Sequence, residues 1–128
     1  MEIYTGLIME YLIERATNIN PKDDLEKLLK SKKNLRVKLG VDPTAPDVTL
    51  GWYAILRMLK KFQDYGHTAV LILGEFTAQV GDPSGKSETR KVMEENEIDD
   101  NAKGVLPIIK NILNDNNFSI LPQSLFIY

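Results

Sequence analysis

The sequence predicts an α/β protein with an incomplete, Rossmann-like parallel sheet in a three-layer arrangement, preceded by helices at the amino terminus. Two stretches have the pattern of strands, residues 35–41 and 67–73, and an amphipathic helical segment lies between them. A loop, a further helix and a last short strand follow. This alternation is typical of parallel sheets whose strands are joined by right-handed crossovers.

The amino-terminal region, residues 1–33, is predicted to be a helical segment that precedes a partial Rossmann-like domain at 34–128. In residues 3–16, apolar side chains recur on one helical stripe, which consists of Ile3, Leu7, Ile8, Tyr11 and Leu12. A second helix is predicted after Asn20-Pro21, in "KDDLEKLLKSKK". Its acidic residues come early and its lysines late, as the helix dipole favours.

The first two strands and the helix between them form the centre of the predicted domain. "LRVKLGV" alternates in side-chain character and ends at a proline-containing turn, which is typical of a strand. The following helix repeats apolar residues at helical spacing, namely Trp52, Ile55, Leu56, Leu59 and Phe62. Gly66 supplies its stop signal. "HTAVLIL" is continuously apolar, as in a strand buried on both faces.

The remaining elements are a long loop at 74–90, a helix at 98–114 and a short strand in "NFSIL". The helix is predicted from Ile98, Ala102, Val105, Ile109, Ile112 and Leu113. Pro107 lies inside this pattern and is expected to kink or split the helix. The loops at 42–49 and 74–90 both leave the carboxyl ends of strands, where open parallel sheets bind ligands. We therefore expect them to face each other across one cleft.

Composition excludes several classes of function. The chain of 128 residues is 43% hydrophobic and 27% charged, with a formal net charge of −2, so no general affinity for nucleic acid is expected. It contains no cysteine and one histidine, His67, which argues against thiolate or histidine metal sites and a Ser-His-Asp triad. No apolar run approaches a membrane span, and the start lacks the features of a secretion signal. A cytoplasmic location is expected.

"GEFTAQVGDPSGKSETR", residues 74–90, contains Gly-Lys-Ser and invites comparison with a phosphate-binding P-loop. That motif needs four residues between its glycines, so that consecutive backbone N–H groups can surround the phosphates. Gly81 and Gly85 have only three residues between them, Val80 stands where the first glycine belongs, and Pro83 removes a donor. The spacing argues against a P-loop NTPase.

The other loop, "GVDPTAPDVTLGW", leads from a strand end into a helix start, so backbone donors and a positive dipole end are expected in the cleft. Thr49 stands at the N-cap position. Gly51 leaves the first helical turn bare, which would let a flat ligand approach the backbone closely. Both residues have plain structural alternatives: Thr49 as a helix cap only, and Gly51 as a residue that makes room for the neighbouring strand.

Taken together, the two loops resemble the amino-terminal half of a bacterial tyrosyl-tRNA synthetase, a class I aminoacyl-tRNA synthetase. The matching segments are "LRVKLGVDPTAPD", "LG" at the helix start, "FQDYGHTAVLILGEFTAQVGDPSGKSETR" and "NAK" at 101–103. The resemblance implies that the chain carries the ATP- and tyrosine-binding half of a domain that forms tyrosyl-adenylate. It implies ATP as co-substrate, with Mg²⁺ bound through the phosphates.

The resemblance also implies roles for particular residues. Contacts with the adenylate would come from Asp42, from the backbone near Leu39 and Gly40, and from the helix start at Gly51 and Trp52. Thr44 and Thr49 would serve the ATP phosphates.

On the amino-acid side, Asp82 would bind the ammonium group of tyrosine, with Thr77 beside it and Lys38 in the same substrate-binding set. Lys86 and Arg90 would meet the leaving pyrophosphate. The Gly-Lys-Ser would then be a clamp of cations and not a backbone cradle.

Two departures from the family pattern bear on activity. Where class I synthetases carry His-x-Gly-His, this chain has Thr49-Leu50-Gly51-Trp52. Trp52 replaces a hydrogen-bonding imidazole, and it also falls on the apolar stripe of its helix, so it is expected either to block the adenine and ribose end of the cleft or to join the core. Losing one transition-state donor costs ~10²–10³-fold in rate.

The second departure is that the sequence shows no KMSKS-like segment, and its last residue is Tyr128. We therefore expect the isolated chain to be inactive or weak. The alternative is a truncated, non-catalytic paralogue that binds nucleotide or tyrosine or docks on a partner. Contact with tRNA is expected only where the carboxyl-terminal part of the family is present. Half a sheet leaves an open strand edge, which a homo-oligomer could cover.

Overall fold

The computed structural model describes residues 2–31, 33–80 and 93–125. The helices are α1 (Glu2–Arg15), α2 (Lys22–Lys30), α3 (Leu50–Asp64), α4 (Glu75–Val80) and α5 (Glu95–Ile112). The strands are β1 (Arg36–Val41), β2 (Thr68–Leu73) and β3 (Phe118–Pro122). Two 3₁₀ turns flank β3, at Asp115–Asn117 and Gln123–Leu125.

The described strands form one parallel sheet in the order β1-β2-β3. Leu39 of β1 is paired with Leu71 of β2, and Leu71 with Ile120 of β3. The central strand β2 is the most apolar and the most buried, because it has a neighbour on both sides. Three parallel strands with flanking helices confirm the predicted α/β fold with an incomplete sheet.

The main core lies between the sheet and two helices. Leu56 and Leu59 of α3 and Val105 and Ile109 of α5 pack with Leu71 of β2 in one buried cluster. Gly66 lies directly after the C-cap of α3 and has φ +88°, a conformation that glycine adopts without strain. The predicted stop signal is confirmed.

A second cluster joins the amino-terminal helices to the sheet domain. It consists of Ile8, Met9, Leu12, Leu29 and Phe62, the last on α3. The predicted stripe on α1 is therefore wrong in part, since Leu7 is 43% exposed and Met9 is buried. The buried face of α1 consists of Thr5, Ile8, Met9 and Leu12, because both α2 and α3 pack against it.

A further prediction about elements is wrong, and one of two expected outcomes at Pro107, a split helix, is excluded. Residues 75–80, expected in a loop, form α4, whose first helical bond runs from Ala78 N–H to the Gly74 carbonyl at 3.0 Å. The helix α5 runs through Pro107 as one element and is not split. Pro107 is exposed, so water can hydrate the Lys103 carbonyl that the missing N–H leaves without a helical donor.

Candidate functional site

The candidate site begins where β1 and β2 end side by side. Val41 and Leu73 are the last residues of their strands and are paired with each other. The Gly74 N–H donates to the Val41 carbonyl at 2.9 Å, so the backbones that follow the two strands stay paired for one more residue. Asp42 and Gly74 are therefore the first residues of two adjacent segments that leave the carboxyl edge of the sheet, as expected for a ligand site in a parallel sheet.

Asp42 and Thr77 connect these two segments directly. The Thr77 hydroxyl, on α4, donates to Oδ1 of Asp42 at 2.6 Å. A short bond of this kind is typical of a hydroxyl that donates to an ionised carboxylate. The expected meeting of the two strand-end regions is confirmed for these two residues.

Gly74 makes this approach possible. A Cβ at Gly74 would overlap Oδ1 of Asp42 and the hydroxyl of Thr77, far inside contact distance. Sequence reasoning did not single out Gly74, although a glycine directly after a buried strand is a signal of close backbone approach.

Gln123 also contacts this site and was missed. Its Oε1 accepts the Thr77 backbone N–H at 3.1 Å and lies 3.2 Å from the Thr77 hydroxyl. Gln123 follows β3, 46 residues further along the chain. No local sequence pattern indicates such a contact, because it depends on how β3 aligns with β2.

The loop at 42–49 is held against α5. Pro43 is fully buried, and its carbonyl accepts a hydrogen bond from Nδ2 of Asn101 at 3.1 Å. Gly104, one turn further along α5, leaves room for Pro46, because a Cβ there would lie 2.6 Å from the Pro46 carbonyl oxygen. The "NAK" segment thus begins with a residue that positions the loop carrying Asp42 and Thr44.

Thr49 begins α3 as a capping residue. Its side chain accepts the Trp52 backbone N–H at 3.3 Å, which confirms the N-cap prediction. Among the residues that the structure describes, a Cβ at Gly51 would meet only Oγ1 of Thr49, at 3.8 Å. Gly51 therefore does not serve to make room for a neighbouring strand, and the surface of the first turn is open.

A cleft of about 460 Å³ lies over these elements. It brings together six of the residues predicted for the site, namely Leu39, Gly40, Asp42, Thr44, Trp52 and Thr77. Ile55 and Leu56 of α3 complete one wall, and Ile55, one of the apolar residues at helical spacing, is 49% exposed. Because α3 begins at this wall, its positive dipole end borders the cleft.

Other predicted residues lie elsewhere. Lys38 is exposed on β1, and neither Lys38, Thr49 nor Gly51 is among the residues lining this cleft. Asp82, Lys86 and Arg90 lie outside the described residues, so the clamp of cations stays a prediction.

Trp52 lies at both the core and the cleft. It is half-buried and packs against the main core, and it also lines the cleft. The indole therefore forms part of the cleft wall at the start of α3, where a smaller imidazole would leave more space.

Within 2–31, 33–80 and 93–125, no three His, Cys, Asp or Glu side chains are grouped so that they could hold a metal ion. None of the helices in these same ranges combines the length and the apolar character that crossing a membrane requires.

A parallel sheet whose adjacent strand ends open into one cleft defines a Rossmann-like α/β protein. Within that class, the chain belongs to the family of class I tRNA synthetases (W and Y), whose model matches residues 30–127. The resemblance to tyrosyl-tRNA synthetases is confirmed by this match together with the relatives that follow.

The chain is similar to several proteins named tyrosine–tRNA ligase. It is 47% identical to that of Thermotoga maritima over 95 residues, which cover 74% of this chain and 24% of the relative. With that of Chlorobaculum tepidum it shares 42% identity over 116 residues, 88% of this chain and 29% of the relative. The chain thus spans about a quarter of the length of these relatives.

The fold is similar to that of a solved structure. A C-terminally truncated mitochondrial tyrosyl-tRNA synthetase of Coccidioides posadasii superimposes with a TM-score of 0.68, at 21% identity. The match covers 92% of this chain and 35% of that one. At this identity the likeness supports the fold alone.

Proposed function

We propose that this chain supplies the ATP- and tyrosine-binding part of a tyrosine–tRNA ligase, the part that forms tyrosyl-adenylate for tRNA charging. The observation that carries this proposal is the hydrogen bond between Thr77 and Asp42, since it joins the loop after β1 to the helix after β2 at one cleft. The choice of tyrosine rests on the names of the relatives.

The nucleotide is proposed to lie along the end of β1. No atom of the described part of the chain, beyond residues 39–41, lies within 4 Å of where a Cβ of Gly40 would point, which supports the approach of a flat ligand to the backbone at Leu39 and Gly40. Asp42 has acceptor capacity beyond the bond from Thr77, because a carboxylate offers about four lone-pair sites. It would bind hydroxyl or amino groups of the adenylate.

The phosphates are proposed to lie toward Thr44 and the start of α3. The Thr49 cap and the open surface at Gly51 lie there, at the positive end of the helix dipole. In adenylate formation, a tyrosine carboxylate oxygen forms a bond to the α-phosphorus of ATP. The bond between the α-phosphorus and the bridging oxygen breaks, and that oxygen leaves with pyrophosphate. Positioning and charge stabilisation supply most of the catalysis in such a step.

The remaining contacts follow from the family resemblance. Thr77 and Asp82 would hold the ammonium group of tyrosine, with Lys38 nearby, and Lys86 and Arg90 would neutralise the departing pyrophosphate. Mg²⁺ would be bound through the phosphates, since the described carboxylates do not form a metal cage.

Calorimetry with ATP and with tyrosine tests the proposal. We expect the unaltered chain to bind both ligands and Asp42→Ala to weaken ATP binding by about tenfold or more, the loss typical of a hydrogen bond to a charged group. Asp47→Ala is the matched control, because Asp47 is an exposed carboxylate in the same loop. Absence of heat for both ligands with the unaltered chain contradicts the proposal.

A second candidate function is a binding module without turnover, and the position of Trp52 in the cleft wall favours it. The two functions differ in tyrosine-dependent exchange of pyrophosphate into ATP, which only the enzyme performs. Under the binding-module function, ligands bind but exchange is absent. If the indole alone obstructs chemistry, Trp52→His raises exchange; a lower melting temperature without exchange shows that Trp52 serves the core.

The partners of the whole protein are proposed on the same basis. Contact with tRNA is proposed to come from residues beyond 128, where such residues are present. A cytoplasmic location accords with the charging of tRNA. Within the described sheet, β1 and β3 are the outer strands, and a second copy of the chain or further sequence would cover their edges. Sedimentation of the purified chain distinguishes a monomer from an oligomer.

A further inference from the structure

The first turn of α4 lacks the side-chain cap that helices usually have. The residue before the helix is Gly74, which has no side chain to accept a hydrogen bond, and the first helical bond is made by the Ala78 N–H. The Thr77 N–H therefore belongs to the group of early N–H donors that find no partner inside a helix.

Gln123 provides the missing acceptor from the 3₁₀ turn that directly follows β3. Its half-buried side chain places Oε1 3.1 Å from the Thr77 nitrogen. A cap of this kind is normally supplied by the residue at the helix start. Here it fixes Thr77 relative to β3 and, through the register of the sheet, relative to β1 and β2.

The same contact bears on the Thr77 hydroxyl, which has one proton to donate. Three acceptors lie within reach: Oδ1 of Asp42 at 2.6 Å, Oε1 of Gln123 at 3.2 Å and the Gly74 carbonyl at 3.3 Å. The proton goes to Asp42, the nearest and the charged acceptor. Asp42 is thereby held in one orientation by a residue whose own backbone Gln123 restrains.

We propose that Gln123 is a positioning residue for the nucleotide site, acting through Thr77 to orient the carboxylate of Asp42. This inference rests on the proposed function, because it takes Asp42 as a ligand-binding group. Gln123 is not among the residues that line the cleft, so its effect on a ligand is indirect. The two hydrogen bonds that connect Gln123 to Thr77 and Thr77 to Asp42 link the segments that follow all three described strands.

Gln123→Leu tests the proposal, since it removes the acceptor at similar volume. The matched control is Gln79→Leu, the same chemical change at a half-buried position of α4 two residues beyond Thr77. Without ligand, we expect hydrogen exchange of the Thr77 amide to become faster in Gln123→Leu and to stay unchanged in the control. Unchanged exchange in both variants overturns the capping contact.

The second readout is binding of AMP, followed by the fluorescence of Trp52, the sole tryptophan of the chain. We expect Gln123→Leu to weaken AMP binding about fivefold, the value of one net hydrogen bond, and to add nothing when Asp42 is already alanine. An equal loss in both backgrounds assigns Gln123 a general structural role and overturns the proposal.

Failure of the proposed function gives a different result. If the unaltered chain binds no AMP, the nucleotide site itself is contradicted, and the positioning role falls with it even if the Thr77 amide is protected. If AMP binds equally with and without Gln123, the nucleotide site stands and only the role of Gln123 is overturned. Gln123→Glu keeps an acceptor for the Thr77 N–H, so we expect it to restore the slow amide exchange.

Discussion

Thr77 and Asp42, 35 residues apart in the chain, share a 2.6 Å hydrogen bond at the carboxyl edge of the sheet. The bond joins α4, which follows β2, to the loop that follows β1. Because both residues also line the 460 Å³ cleft, one contact defines the geometry between the two segments with which the family resemblance associates ATP and tyrosine.

The first prediction concerns Gly74. We expect Gly74→Ala to lower the free energy of unfolding by ~1–3 kcal/mol, since the added Cβ overlaps the side chains of Asp42 and Thr77 and must displace one of them. Urea denaturation measures the change. Gly6→Ala is the control, because Gly6 lies inside α1 with nothing near its Cβ direction, and alanine there is expected to stabilise by up to ~1 kcal/mol.

The second prediction concerns Gln63, a buried polar residue on α3 that anchors the approach to β3. Its Nε2 donates to the carbonyls of Asn114 and Asn117, each at 3.0 Å, and its Oε1 accepts the Asn114 N–H at 2.9 Å. Gln63→Leu leaves these backbone groups without that partner, so we expect a loss of ~2–4 kcal/mol in the free energy of unfolding.

Gln79→Leu again serves as control for the prediction about Gln63, and we expect it to change stability by less than ~1 kcal/mol. A loss in Gln63→Leu no larger than in this control would show that the turn before β3 is held by other contacts.

The third prediction concerns the dependence of stability on pH. Burial lowers the pKa of His67 below its ordinary value, because the charged imidazolium is poorly solvated there. Its neutral Nδ1 accepts the Leu35 N–H at 3.3 Å, which ties the start of β1 to β2. The unfolded chain binds a proton more readily, so this contribution to stability is complete above the ordinary histidine pKa and is lost as the pH falls through and below it.

Unfolding in urea at pH 7.5 and at pH 5.5 measures this contribution. We expect the unaltered chain to lose more stability between the two values than His67→Asn, which keeps an oxygen acceptor but does not titrate. Identical losses in the two proteins would mean that the carboxylates account for the whole pH dependence.

Much of the fold was predictable because its signals are local. The apolar run of β2, the helical spacing of Leu56, Leu59 and Phe62, and the stop at Gly66 each follow from neighbouring residues. The short helix α4 was not predictable in this way, because the side chain that caps it is that of Gln123. Only the pairing of β3 with β2 brings Gln123 near the start of α4.

The candidate site was predictable to a similar extent. The rule that ligands bind at the carboxyl ends of parallel strands identifies the segments 42–49 and 74–90 without any structure, and the family resemblance adds Asp42 and Thr77 within them. Their hydrogen bond, the need for glycine at position 74, and the support of Pro43 by Asn101 are contacts between distant segments. Such contacts depend on sheet register and helix packing, which no single stretch of sequence specifies.

The most direct test of the account is the location of bound ATP, mapped by backbone amide and indole NMR shifts. We predict that ATP shifts the signals of Leu39, Gly40, Thr44, Thr77 and the Trp52 indole together. A second cavity, bordered by Glu95, Asp99 and Ser124, provides the internal comparison, and its signals should stay unchanged. Shifts confined to that second cavity, with none at Gly40 or Thr44, would contradict the account.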